Sequence, residues 1–128
     1  MALERIQPQG LKAWPHLTQV IRAGDTVYLS GQTALDENVQ VVGRGDIVAQ
    51  ATQVFENLKR GLEAAGGDFS QLAKITIYAT DASFGKAIAD VASNYLQRQA
   101  AATSTFVVVS GLALPELLVE IDGIAVLN

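Results

Sequence analysis

No cysteine and only one histidine, His16, occur among the 128 residues of this chain. The first absence excludes a disulfide framework, a thiolate nucleophile and a cysteine-based zinc site. The second leaves too few ligands for an all-protein metal site, so neither a metal nor a cofactor is expected. Positive charge is also scarce. Nine Lys and Arg stand against 13 Asp and Glu, the net charge is -4, and no basic cluster appears anywhere. A nucleic-acid partner is therefore not expected, because phosphate binding needs a basic surface. The N-terminal MALERIQPQG lacks the apolar core of a signal peptide, and no apolar run approaches a membrane span, so the expectation is a cytoplasmic protein with no membrane partner. P-loop, G-x-G-x-x-G, G-x-S-x-G and H-E-x-x-H motifs are absent too.

What is present describes a single domain, residues 1–128, with 49% apolar and 17% charged residues, enough to bury a core of its own. The clearest element is a helix from Ile47 to Ala65. Ile47, Ala51, Val54, Phe55, Leu58, Leu62 and Ala65 recur at helical spacing, Asp46 is a natural N-cap, and Gly66-Gly67 is a stop. A second amphipathic helix follows Asp81 or Ser83, with Phe84, Ala87, Ile88, Val91, Tyr95 and Leu96 on its buried side.

Around these helices lie β-prone runs. Leu3 to Ile6 reads as a short edge strand. Thr18 to Ala23 and Thr26 to Ser30 form a hairpin across Gly24-Asp25. The polar stretch from Asp36 to Gly45 reads as a loop with a short strand at Val39 to Val42, Phe69 to Leu72 as a helical turn, and Lys74 to Thr80 as a strand with Tyr78 facing away from Ile75 and Ile77. Trp14 reads as a core or interface aromatic, ahead of a ligand-stacking platform. Gly31 reads as a bulge glycine or as a place where backbone amides lie open to a ligand.

The last quarter of the chain holds two more strands, Thr103 to Val109 and Leu117 to Leu127, joined by a Gly/Pro loop and read as successive, facing strands of one sheet. Glu120 and Asp122 share one face of the second, opposite Val119 and Ile121. Such a pair projects in parallel and does not suit glycosidase-type chemistry. A carboxylate in mid-strand among Leu117, Leu118 and Val119 either faces water on an edge strand or occupies a site, since burial of an unpaired charge is costly. The layout is α+β, with two helices on one face of a single mixed sheet. Nothing remains to cover the other face, and Phe106 to Val109 is apolar on both sides, so homo-oligomerisation through the open sheet face is expected.

Four stretches in order, VYLSGQTALD (27–36), AQATQVFENLKRGLEAAGG (49–67), LAKITIYATD (72–81) and LLVEIDGIAV (117–126), resemble the reactive intermediate deaminase (Rid, YjgF-like) family over nearly the whole chain. The resemblance implies a chorismate-mutase-like fold, a homotrimer whose sheets form a central barrel, and small-molecule ligands in clefts between subunits. It also implies that Glu120 positions the attacking water and that Gly31 presents its backbone to the ligand. Deaminating members have an arginine before the penultimate strand that clamps a substrate carboxylate. Here its counterpart is Thr103, followed on the same face by Thr105, and both are candidate ligand-binding residues. A hydroxyl offers one neutral hydrogen bond where arginine offers a charged fork, so an uncharged ligand is expected in place of an amino-acid-derived anion. Two functions follow from the resemblance: hydrolysis of a small imine or enamine by Glu120, or ligand binding without chemistry. The ribonuclease activity sometimes attached to relatives finds no support in an acidic chain without a basic groove.

Overall fold

A computed structural model describes residues 2–128. Six strands form one sheet: β1 (Glu4–Ile6), β2 (Val20–Ala23), β3 (Thr26–Gln32), β4 (Leu72–Ala79), β5 (Thr103–Val108) and β6 (Val119–Val126), in the order β1-β2-β3-β6-β4-β5. The helices are α1 (Ile47–Ala64) and α2 (Gly85–Ala92). All pairings are antiparallel except that of β4 with β5. A parallel neighbour needs a crossover connection, and α2 supplies it.

The Asp46 carboxylate caps α1 by accepting the Ala49 N–H at 3.1 Å, and Gly66, at φ +86°, follows the helix end in the left-handed region. Val54, Phe55, Leu58 and Leu62 are fully buried against Val20, Val27, Ile121 and Ala125 of the sheet. Each such side chain contributes about 1.5–3 kcal/mol. Helix and hairpin approach closely at Gly61, where a Cβ would lie 3.1 Å from the Leu29 side chain and 3.3 Å from that of Val20. Gln50 is wholly buried and ties α1 to the segment entering β6: its amide group donates to Glu116 O and Gly43 O, and its oxygen accepts Leu118 N–H.

Three expectations need correction. The strand at 39–42 does not form. Asp36 instead closes a tight turn by accepting the Asn38 and Gln40 N–H groups, Val39 takes a positive φ of 61°, and only an isolated Leu35–Val41 bridge remains. The side-chain bonds of Asp36 compete successfully with a ladder too short to propagate. The second helix is shorter than its apolar spacing suggested. A 3₁₀ turn at Ala82–Phe84, capped by Asp81, precedes it, and Tyr95 and Leu96 lie beyond its end. Tyr95 is held there by stacking on Phe55 at 5.1 Å and by donating its hydroxyl to Glu56 at 2.8 Å, not by helical geometry. Burial and that hydrogen bond push the Tyr95 phenol up to about 12.

The third correction concerns the last two strands, which do not lie side by side: β4 is inserted between them. Strand β6 is therefore central and β5 is an edge, with Phe106, Val107 and Val108 exposed within the single chain. Both helices cover one face of the sheet. The opposite face carries Tyr28 on β3, Glu120, Asp122 and Ile124 on β6, Lys74, Thr76 and Tyr78 on β4, and Thr103, Thr105 and Val107 on β5, by alternation and register.

Candidate functional site

Glu120 is the centre of the open face. It stands on β6 between β3 and β4, half-buried, which removes the edge-strand reading of its sequence. On one side its register partner is Tyr78. On the other, β3 is bulged between Leu29 and Gln32, and Gly31 lies in that bulge. A Cβ on Gly31 would come within 2.1 Å of Glu120 Oε2, so the carboxylate occupies the space that any other residue would fill. The bulge reading of Gly31 holds: it lies in the β3 bulge, and its bare backbone lies against the Glu120 carboxylate without a side chain between them.

Asp122 follows on the same face, opposite Thr76. Its Oδ2 accepts the Tyr78 hydroxyl at 3.3 Å. Burial raises the proton affinity of Glu120 above the ordinary glutamate range, and the Asp122 charge raises it further. That same Asp122 charge is the largest cause of a raised Tyr78 phenol value. Among the described residues, ion pairs join Arg22 to Asp25 and Lys86 to Asp90, and neither Glu120 nor Asp122 has one. Beside the pair, Tyr28, Ser30, Gly31, Lys74 and Thr76 line a shallow hollow of about 370 Å³.

Behind Gly31 lies a smaller recess of about 50 Å³ bordered by Trp14, Gln19, Gln32 and Asn57. Gln32 donates to Gln19 at 2.7 Å, Gln19 donates to Lys12 O, and Asn57 donates to Thr33 O and Leu35 O. These buried amides fasten the loop before β2 and the end of β3 to α1, which fixes the backbone on which Gly31 sits. Trp14 is half-buried there, its ring 5.8 Å from the Lys12 ammonium and 6.0 Å from His16.

Of the residues singled out in the sequence, Glu120 and Gly31 meet, whereas Thr103 and Thr105 stand apart from them. Thr103 does not face Glu120 across neighbouring strands. Val107 is the β5 residue in register with Tyr78 and Glu120, and Thr103 lies four positions back along the strand. Two strand spacings and four residue rises place the two roughly 16 Å apart. The Thr103 hydroxyl donates to Ala73 O at 3.0 Å. Sequence reasoning missed the Tyr78–Asp122 bond. Alternation in KITIYAT had set Tyr78 apart from Ile75 and Ile77, but only the strand order shows that it falls beside β6.

A bulged inner strand against a half-buried glutamate, on a sheet with one bare face, defines a class as well as a site. The family model described as "Endoribonuclease L-PSP" matches residues 8–127, and the chain belongs to this family, that of the reactive intermediate deaminases. It is 41% identical over 120 residues to "Protein DfrA" of Myxococcus xanthus, covering 93% of this chain and 88% of that one. It is 34% identical over 112 residues to a "2-iminobutanoate/2-iminopropanoate deaminase" of Dermatophagoides farinae, covering 87% and 85%. The crystal structure of RidA from the Antarctic bacterium Psychrobacter sp. PAMC 21119 superposes with a TM-score of 0.88 at 32% identity, over 97% of this chain and 99% of that one. Both the Rid fold and the family membership expected from the sequence are thereby established. No helix among the described residues is long and apolar enough to cross a membrane.

Proposed function

We propose that three copies of this chain associate through their open sheet faces and that each intersubunit cleft binds and hydrolyses a small imine or enamine at Glu120. The observation that carries this reading is the packing of the Glu120 carboxylate onto Gly31, in a half-buried position where its proton affinity is raised. A carboxylate with such a shift is a stronger base at neutral pH than an ordinary one. Water gives a proton to Glu120 as its oxygen bonds to the imine carbon and the C=N π pair moves to nitrogen. Glu120 returns that proton to nitrogen. Once the hydroxyl proton has also passed to nitrogen, the C–N bond breaks, and an amine or ammonia leaves behind a carbonyl.

The separation of Thr103 and Thr105 from Glu120 within one chain supports an intersubunit site, because only a second copy could bring β5 to the first copy's Glu120. A second reading, ligand binding without chemistry, is favoured by one observation: the Thr103 hydroxyl is engaged with Ala73 O and is a poor replacement for an arginine. Two carboxylates on the face also oppose an anionic ligand.

The test supplies a freshly generated uncharged imine and, separately, a 2-imino acid, and measures carbonyl release against buffer. The uncharged imine is expected to be hydrolysed faster, with Glu120→Gln reducing its rate by roughly 10²–10⁴-fold. The 2-imino acid is expected to react slowly, because loss of a charged hydrogen bond of about 1.5–3 kcal/mol corresponds to a ten- to hundredfold deficit. Thr103→Arg should recover part of it. Saturable binding of the imine with no hydrolysis would instead establish the second reading.

A further inference from the structure

We propose that Asp122 and Tyr78 are positioning residues for Glu120: the Tyr78 phenol pins the Asp122 carboxylate beside Glu120, and this fixed negative charge keeps Glu120 a strong proton acceptor. The inference rests on the reading of Glu120 as the water-handling base, and it adds the residues that give Glu120 that property.

The arrangement follows from register. Tyr78 is directly opposite Glu120, and Asp122 is two residues further along β6 on the same face. From its place opposite Glu120 the Tyr78 side chain runs towards Asp122, and its hydroxyl reaches Asp122 Oδ2 at 3.3 Å. A hydrogen bond accepted by a carboxylate favours its charged form. A charged Asp122 next to a half-buried Glu120 disfavours a second negative charge there, as in any carboxylate pair sharing a site. Neither carboxylate has an ion-pair partner among the described residues. Among the titratable groups on this face, β3 offers Tyr28, opposite Ile124, and β4 offers Lys74, whose ammonium is engaged with Thr76 Oγ1 at 3.2 Å. Strand β5 presents only Thr103, Thr105 and Val107, and β1 places Arg5 beyond Ile21, at the far side of the sheet. Lys12 and Asp36 border the recess behind Gly31.

The design has a chemical consequence. A general base works best when its proton affinity is matched to the working pH, and burial alone leaves that match to the shape of the cleft. The Asp122 charge adds a contribution built into the fold of the single chain. Tyr78 keeps it directional, since a free aspartate side chain would swing towards water and away from Glu120.

The test is a ¹³C-carboxyl NMR titration of Glu120 in the wild type, Asp122→Asn and Tyr78→Phe, beside the pH–rate profile of imine hydrolysis. Asp122→Asn is nearly isosteric, and circular dichroism with light scattering checks that fold and assembly persist. The Glu120 midpoint is expected to fall in Asp122→Asn and to fall by less in Tyr78→Phe, with the acid limb of the rate profile moving to lower pH in parallel. A Glu120 midpoint that does not move in a folded Asp122→Asn protein overturns the inference. The outcomes separate from those of the functional reading. A shifted midpoint without hydrolysis leaves the positioning pair standing and removes the reaction, whereas hydrolysis with an unmoved midpoint removes the pair and leaves the reaction.

Discussion

Gly31 is constrained by space and not by backbone conformation. It lacks a positive φ, and what excludes a side chain is the Glu120 carboxylate, which would lie 2.1 Å from a Cβ. Because that carboxylate is the end of a flexible side chain, Gly31→Ala should fold, at a cost of roughly 1–3 kcal/mol for overpacking. The displaced Glu120 should nevertheless lose about a hundredfold in turnover, the usual consequence of a misplacement near 1 Å. Thermal melting and steady-state assay of the same preparation would separate the two effects. Glu120 itself should weaken the fold at neutral pH. Its proton affinity is higher in the folded than in the unfolded chain, so stability is greatest where both states are protonated and declines as pH rises through the two values. Glu120→Gln is therefore expected to raise the melting temperature at neutral pH, with the gain vanishing in acid. A gain that persisted at low pH would show that charge is not its cause.

At the scale of elements, much was legible because apolar spacing and caps report local structure directly. The α1 stripe, its Asp46 cap and the Gly24-Asp25 hairpin all stand where the sequence placed them. Strand order was harder to read. Thr103 and Glu120 both alternate correctly along their own strands, yet nothing local says that β4 separates them, since parallel pairing is decided by the α2 crossover and the core. Val39 illustrates the opposite failure: its β-branched run, VQVV, suggested a strand, but the Asp36 carboxylate organised a turn first. The least visible element device is Gln50, a polar residue inside an apolar stripe, whose amide bridges α1 to Gly43, Glu116 and Leu118. Gln50→Ala should cost about 1–3 kcal/mol for each buried partner left unpaired. Chemical denaturation would show a lowered midpoint with an unchanged slope.

The described chain leaves one sheet face and the outer edge of β5 bare. Val107 and Val108 are exposed in the single chain, on the strand that would have to reach another copy's Glu120 if the cleft forms. Since Val107 is not in the monomer core, Val107→Asp should leave the fold intact and disrupt assembly, because an unpaired charge is strongly destabilising once an interface buries it. Light scattering at micromolar concentration should return a trimer mass for the wild type and a smaller mass for the variant. The central claim, that Glu120 acts within a cleft completed by a second copy, is tested most directly by a crystal structure with a stable uncharged imine analogue bound. The account predicts three copies joined through their open sheet faces, with the analogue's polar atom in hydrogen-bond reach of Glu120, beside the backbone of Gly31, and β5 of a neighbouring copy closing the cleft. A monomer, or an analogue seated away from Glu120, would contradict it.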